Sequence, residues 1–336
     1  MRLIKFIIAA VLFPALFSCG KPGYVIKGDI VDLDEGEINL LDIYGKTISS
    51  TEVVDGKFEF KGRVDTACLA YINNALGVVY PIDIPVLLEN TLIRVEGDAR
   101  IGHIEIKGTK ANEDMVTFKQ EKDKIAPDDT EGYLRLVKET FEENSYNVLA
   151  SLLISNLYGL VSDEELVAYC DRLAPEFRDS PVVSHYRTIS MARIGTVPGK
   201  PFVDFGMPDA DGNIVMLSDI VSSHKATALV FWASWARDAR SLVPEFASLC
   251  RKYEDKGLVM YNVSFDSDPV QSGITASEMG LPGLCLCNGP EEGDKAASLY
   301  GFEGLPRIVI IGNDGIIVAK GRKADDVAAS LDSLFR

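Results

Sequence analysis

"FWASWARDARSLVPEF", Phe231 to Phe246, is the stretch on which the reading of the whole chain turns. Phe231 and Trp232 close an apolar run that begins at "ATALV", and from Arg237 the apolar residues recur at helical spacing to about Lys256, past Pro244. A buried strand therefore runs straight into a helix, with Trp235 and Ala236 at the junction. Arg237, Asp238 and Arg240 make the helix start charged, and Asp238 suits the positive end of the helix dipole. Further out come the apolar strand "LVMYNVSF", another helix, "GLCLC", a helix through Tyr300, and the strands "RIVII" and "IIVAK" joined by Asn313-Asp314-Gly315. Strands alternate with helices until that last hairpin, which implies a mixed sheet covered on both faces. This is an α/β domain, and "GTVPGKP", Gly195 to Pro201, reads as the linker ahead of it.

With "DFGMPDADGNIVMLSDI", "VSFDSD" and "LYGFEGLPRIVIIGNDGIIV" added, residues 197–336 resemble an envelope thioredoxin-like protein of the ResA/TlpA and AhpC/TSA type. That family carries a WCxxC motif directly after the strand and a cis-proline in a facing loop. In this sequence Trp235 falls on the tryptophan and Pro306 on the cis-proline. Ala236 and Ala239 fall on the two cysteines, with Arg237 and Asp238 between them. The resemblance implies disulfide exchange, but exchange needs a thiolate. A helix N-terminus lowers a thiol's pKa from about 8.5 towards ~7, and a methyl group gives that field nothing to ionise. Neither thioredoxin nor peroxiredoxin chemistry is available at the usual site, so no catalytic residue is assigned there.

No other catalytic set replaces it. His103, His185 and His224 are scattered with no metal-like spacing, and neither a phosphate loop nor G-x-S-x-G occurs. Neither a metal nor a cofactor is implied. Cysteine usage is odd-numbered once Cys19 is set aside: Cys68, Cys170, Cys250, Cys285 and Cys287 remain, and no CxxC occurs. Cys170 recurs with Leu166, Tyr169 and Leu173 on the apolar stripe of a helix, as a core residue does. Cys250 shares the inner side of its helix with Phe246 and Leu249. Cys285 and Cys287 point to one face of a strand whose other face holds Leu284 and Leu286, a pattern expected of a central, buried strand. Core packing is the expectation for Cys250, Cys285 and Cys287, with a displaced redox role as the alternative.

Residues 19–110 read as a β-rich domain: from Tyr24 to about Lys107 the pattern alternates with period two, as in "KFEFKGRV", "IPVLLEN" and "TLIRVEG", with turns at Asp55-Gly56 and Glu96-Gly97-Asp98. Short antiparallel strands in a small sandwich are expected. The segment resembles the β-rich domain often found ahead of thioredoxin modules in envelope lipoproteins. Residues 111–194 change to helical period; four or five helices are expected, one opening on a capping box at Ser162 and Glu165 and one stopping at Gly159. The fold expected is thus an α/β thioredoxin-like domain at 195–336, preceded by an all-β sandwich-like domain and a helical segment.

Residues 1–18 read as a targeting signal. Arg2 and Lys5 precede the 12-residue apolar run Phe6–Phe17, too short to span a bilayer, which takes roughly 20 residues. Leu16 and Ser18 before Cys19 resemble a bacterial lipoprotein signal, which implies a lipid on Cys19 and a chain anchored in the cell envelope, facing the periplasm. Its removal takes two of the 34 basic residues and none of the 50 acidic ones, making the chain more acidic still than its net −16. Such a surface repels nucleic acid and anionic headgroups, leaving the lipid as the membrane attachment.

Three functions follow in order. The first is a redox-inert thioredoxin fold that binds a protein or extended peptide: the resemblance implies that backbone beside the cis-proline, here Leu305, pairs with an extended segment, with Trp235, Arg237, Asp238 and Pro306 around it. The second is a thiol-disulfide oxidoreductase using Cys285, Cys287 or Cys250. The third is a structural component of the envelope.

Overall fold

The computed structural model describes residues 22–74, 79–209, 212–287 and 289–336, which fall into two compact units, one ending at Lys124 and the other spanning Ile125–Arg336. The stretch read as a targeting signal, and Cys19 after it, lie outside the described residues.

Among the described residues of the first unit, eight strands form two sheets. β1 (Tyr24–Val31), β4 (Lys57–Gly62), β7 (Leu92–Asp98) and β8 (His103–Lys107) make one, in the order β4-β1-β7-β8. β2 (Gly36–Leu41), β3 (Thr47–Val53), β5 (Cys68–Asn74) and β6 (Asp83–Leu88) make the other, in the order β3-β2-β5-β6. Alternate residues of each, such as Ile26 and Ile30 on β1 and Ile38 and Leu40 on β2, meet in one core. The expectation of wholly antiparallel strands needs correcting, because β1 and β7 pair in parallel. Alternation reports which face a residue occupies, not the direction of its strand. Helix α1 (Lys110–Lys122) belongs to this unit rather than to the helical segment: buried Asn112 accepts from the Leu87 amide at 2.9 Å and donates to the Leu87 carbonyl at 2.8 Å.

The second unit opens with helices α2 (Thr130–Asn144), α3 (Val148–Leu157), α4 (Asp163–Arg172), the single turn α5 (Pro175–Arg178) and α6 (Pro181–Gly195). Counted with α1, that is one more helix than the upper expectation. α4 starts where the sequence places it, with the Glu165 amide donating to Ser162 Oγ at 3.1 Å. Leu166, Tyr169, Cys170 and Leu173 are all buried.

Then follow β9 (Gly206–Pro208), β10 (Ile214–Met216), α7 (Leu217–Ser223), β11 (Ala226–Trp232), α8 (Arg237–Glu254), β12 (Leu258–Ser264), α9 (Pro269–Glu278), β13 (Leu284–Cys287), α10 (Gly289–Ser298), β14 (Arg307–Gly312), β15 (Ile317–Gly321) and α11 (Ala324–Leu334). Five strands form a mixed sheet in the order β13-β12-β11-β14-β15, parallel as far as β11 and antiparallel beyond it. Every residue of β11 is buried. Its alternate side chains feed two cores: Ala228, Val230 and Trp232 pack with α8 and α11, and Leu229 and Phe231 pack with Tyr261 and Tyr300. On α8, residues Ala239, Val243, Phe246, Cys250 and Tyr253 form the buried stripe.

Two expectations about this unit are corrected. β13 is an edge strand, pairing only with β12 among the described residues; its apolar character on both faces reflects cover by α9 and the Phe231 core, not a central place. The stretch read as a linker is bonded into the sheet edge. Thr196 is fully buried, the Gly199 amide donates to the Ile317 carbonyl at 2.8 Å, and Lys200 accepts from the Ile317 amide at 2.9 Å. Gly and Pro mark where a chain turns, not whether it is exposed. No helix among the described residues is long and apolar enough to cross a membrane.

Candidate functional site

The turn between β11 and α8 is held from below by one buried carboxylate. Asp266, just past the end of β12, accepts from the Ser234 amide at 3.0 Å, from Ser234 Oγ at 2.8 Å and from Ser264 Oγ at 2.9 Å. Arg240 reaches back from the first turn of α8 and donates Nε to the Ser234 carbonyl at 2.6 Å. Fixed at both ends, the turn projects Trp235 outward, 68% exposed, while Trp232 three residues earlier is fully buried.

Ala236 is the N-cap of α8 and offers no side-chain hydrogen bond to the free amides there. Its methyl group lines a cleft of about 830 Å³ together with Trp235, Phe265, Phe302, Leu305 and, from α6, Ile189. Arg237, Asp238, Asp294 and Glu303 give the rim its charge, and His185 lines it beside them. Ala239 does not open on the cleft; it is fully buried under the first turn. The chemistry of this helix start is that of an apolar slot with polar edges.

Facing it, the Leu305–Pro306 peptide is cis. The Leu305 amide has no hydrogen-bond partner among the described residues, whereas its carbonyl accepts from Arg322 at 3.3 Å. The same guanidinium nitrogen donates to Asp238 at 2.9 Å, tying the loop to the first turn of α8. The structure thus brings Trp235, Ala236, Arg237, Asp238 and Leu305 to one cleft.

It leaves the cysteines elsewhere. Cys285 is packed against the α8 and α11 core, and burial pushes its thiol up to about 11, with Ser272 Oγ 3.9 Å away. Burial pushes Cys250 up further still. Cys287 donates to the Asp266 carbonyl at 2.9 Å, behind the turn that carries Trp235. Among the described residues no group of three His, Cys, Asp or Glu stands ready to hold a metal.

Sequence reasoning missed the wall that α6 supplies and the Arg322 clamp. Neither has a local signature: Arg322 lies 84 positions from the Asp238 it holds, and α6 lies more than a hundred positions before the Phe302–Leu305 loop. Phe302 and Glu303 had one: both sit in "GFEGLP", immediately before the loop proline.

Residues 198–320 match the AhpC/TSA family, and residues 24–115 match a domain described as Domain of unknown function (DUF4369). The thiol-disulfide oxidoreductase ResA of Bacillus thuringiensis (strain Al Hakam) is 27% identical over 120 residues, which span 36% of this chain and 66% of that protein. Among solved structures, the thioredoxin domain of a thiol-disulfide oxidoreductase from Bacteroides vulgatus aligns with a TM-score of 0.38 at 22% identity, covering 42% of this chain and 99% of that one. A thiol:disulfide interchange protein from Bacteroides sp. gives 0.38 and 22%, covering 42% and 91%. Residues 198–320 are thus similar to AhpC/TSA proteins, and they lie behind a β-rich domain and a run of helices.

Proposed function

We propose that this chain is a redox-inert thioredoxin-fold protein that holds an extended segment of a partner protein in the cleft between Trp235, α6 and the Phe302–Leu305 loop. The observation that carries the reading is the cleft itself: where its relatives are named for thiol-disulfide chemistry, this helix start presents the Ala236 methyl to an apolar slot of about 830 Å³. An exposed indole on one wall and an unpaired Leu305 amide on the other are what a strand-like ligand needs, a flat apolar contact and a main-chain donor. The displaced-cysteine alternative is disfavoured by burial, which keeps Cys250 and Cys285 protonated at neutral pH. A lipid on Cys19 would hold the chain at the envelope membrane, facing the periplasm.

The test is fluorescence anisotropy with labelled, reduced and carboxymethylated insulin B chain, an extended peptide without free thiols, added to the chain lacking residues 1–18 and carrying Cys19→Ser. Saturable binding is expected. Trp235→Ala, which removes the indole, and Thr188→Trp, which fills the slot from the exposed face of α6, are each expected to weaken it by about tenfold or more. Equal binding by wild type and both variants would refute the placement of the ligand.

A further inference from the structure

Next to the cleft lies a smaller pocket of about 330 Å³, lined by Arg193, Gly301, Phe302, Arg307, Lys320, Gly321 and Arg322. Four of these seven residues are cationic and none is acidic, in a chain whose net charge is −16. Two of the cations have counterions. Arg193 stands 3.7 Å from Asp163 and 3.4 Å from Glu303, and Arg322 stands 2.9 Å from Asp238.

The other two have none among the described residues. Arg307 donates only to the backbone carbonyls of Pro306, at 3.2 Å, and Glu303, at 2.9 Å. Lys320 donates to Thr196 Oγ1 at 2.8 Å and to the Tyr300 carbonyl at 3.3 Å. Both lie over the ring of Phe302, the Lys320 ammonium 4.7 Å and the Arg307 guanidinium 5.8 Å from its centre. Burial lowers both pKa values, Lys320 to about 8, and repulsion from Arg193 adds to each. Charges withdrawn from water without a partner are costly, and a bound anion offsets that cost in a lining without carboxylates.

We propose that this pocket is an oxyanion site that binds a phosphate-like or carboxylate group between Arg307 and Lys320. The planar fork of Arg307 supplies two donors at fixed spacing, which suits oxygens held on one centre, and Lys320 supplies a compact charge opposite. The inference does not rest on peptide binding in the cleft, since Arg307 and Lys320 take no part in that site.

Sulfate and succinate are the probes, each titrated calorimetrically into the full mature chain at constant ionic strength; both stay dianionic across pH 7–9, so only the protein changes charge. Saturable binding of at least one is expected. Tighter sulfate points to a tetrahedral oxyanion as the natural ligand, and tighter succinate to a carboxylate. Lys320→Met is expected to weaken binding by about tenfold or more while melting at or above the wild-type temperature without ligand, because it removes an unpaired charge. Arg307→Gln gives a second, independent loss.

The groups facing Lys320 and Arg307 are Arg193 on α6, Tyr158 after α3, Asp163 on α4, Tyr300 and Glu303 on the loop, and Arg322 after β15. Tyr158 is raised to about 12 and Tyr300 is raised too, so neither ionises in this window, and the guanidinium groups stay charged. Affinity is therefore expected to fall as pH rises through 8 and Lys320 loses its proton. Absence of saturable heat with both anions, or unchanged affinity in Lys320→Met and Arg307→Gln, would overturn the proposal.

Discussion

Ala236 and Ala239 differ from a reactive pair by two sulfur atoms, and their surroundings show what each position would do with one. Ala236 sits at the open N-terminus of α8, where the helix field favours an anion; Ala239 is shut beneath it. Both positions, and Pro306 opposite, were legible in the sequence because the strand, the tryptophan and the proline bracket them. The state of Cys285 was only half legible. Its face could be read from alternation, but not that its strand lies at an edge, since cover by a helix produces the same apolar pattern as a neighbouring strand. With its thiol pushed up to about 11, only about one molecule in 10⁴ carries the thiolate at pH 7. Alkylation of native protein by iodoacetamide, followed by mass spectrometry, is expected to be slow at Cys285 at pH 7 and to rise about tenfold per pH unit on approach to 11. Rapid labelling at neutral pH would mean that this sulfur is exposed to reactive chemistry.

Among the elements, α6 is the one whose importance the sequence hid. It falls in the segment read as helical, but its role comes from docking beside a loop more than a hundred residues later in the chain. Gly301 is the docking point: its φ is +66°, Arg193 Nε donates to its carbonyl at 2.8 Å, and an added Cβ would lie 2.6 Å from both Arg193 Cγ and the Ile189 carbonyl. Gly301→Ala is expected to cost about 1–3 kcal/mol in chemical denaturation and to raise hydrogen exchange in α6 first. Unchanged stability and protection would show that α6 is not held there. The segment after α6 teaches a related lesson. Its Gly and Pro residues signal turns correctly, yet Thr196 is fully buried and accepts from Lys320, because the composition of a turn does not say what it packs against.

At the scale of the whole molecule, the order of a β-rich domain, helices and an α/β domain was legible in its periodicities, whereas the parallel pairing of β1 with β7 was not, because period two is blind to strand direction. The acidic balance of the chain makes the pocket of Arg307 and Lys320 conspicuous and works against attraction to anionic headgroups. Radiolabelled palmitate is expected to enter the full chain in a bacterial host and to be lost with Cys19→Ser; equal labelling of both would place any lipid elsewhere. The central claim is that a thioredoxin-like scaffold here works without its sulfurs, and reduction of insulin by dithiothreitol, followed by turbidity, tests it most directly. The chain lacking residues 1–18 is predicted to leave the rate at the level of dithiothreitol alone, and Ala236→Cys with Ala239→Cys to raise it; acceleration by the chain with both alanines in place, comparable to that of a dithiol thioredoxin, would contradict the account.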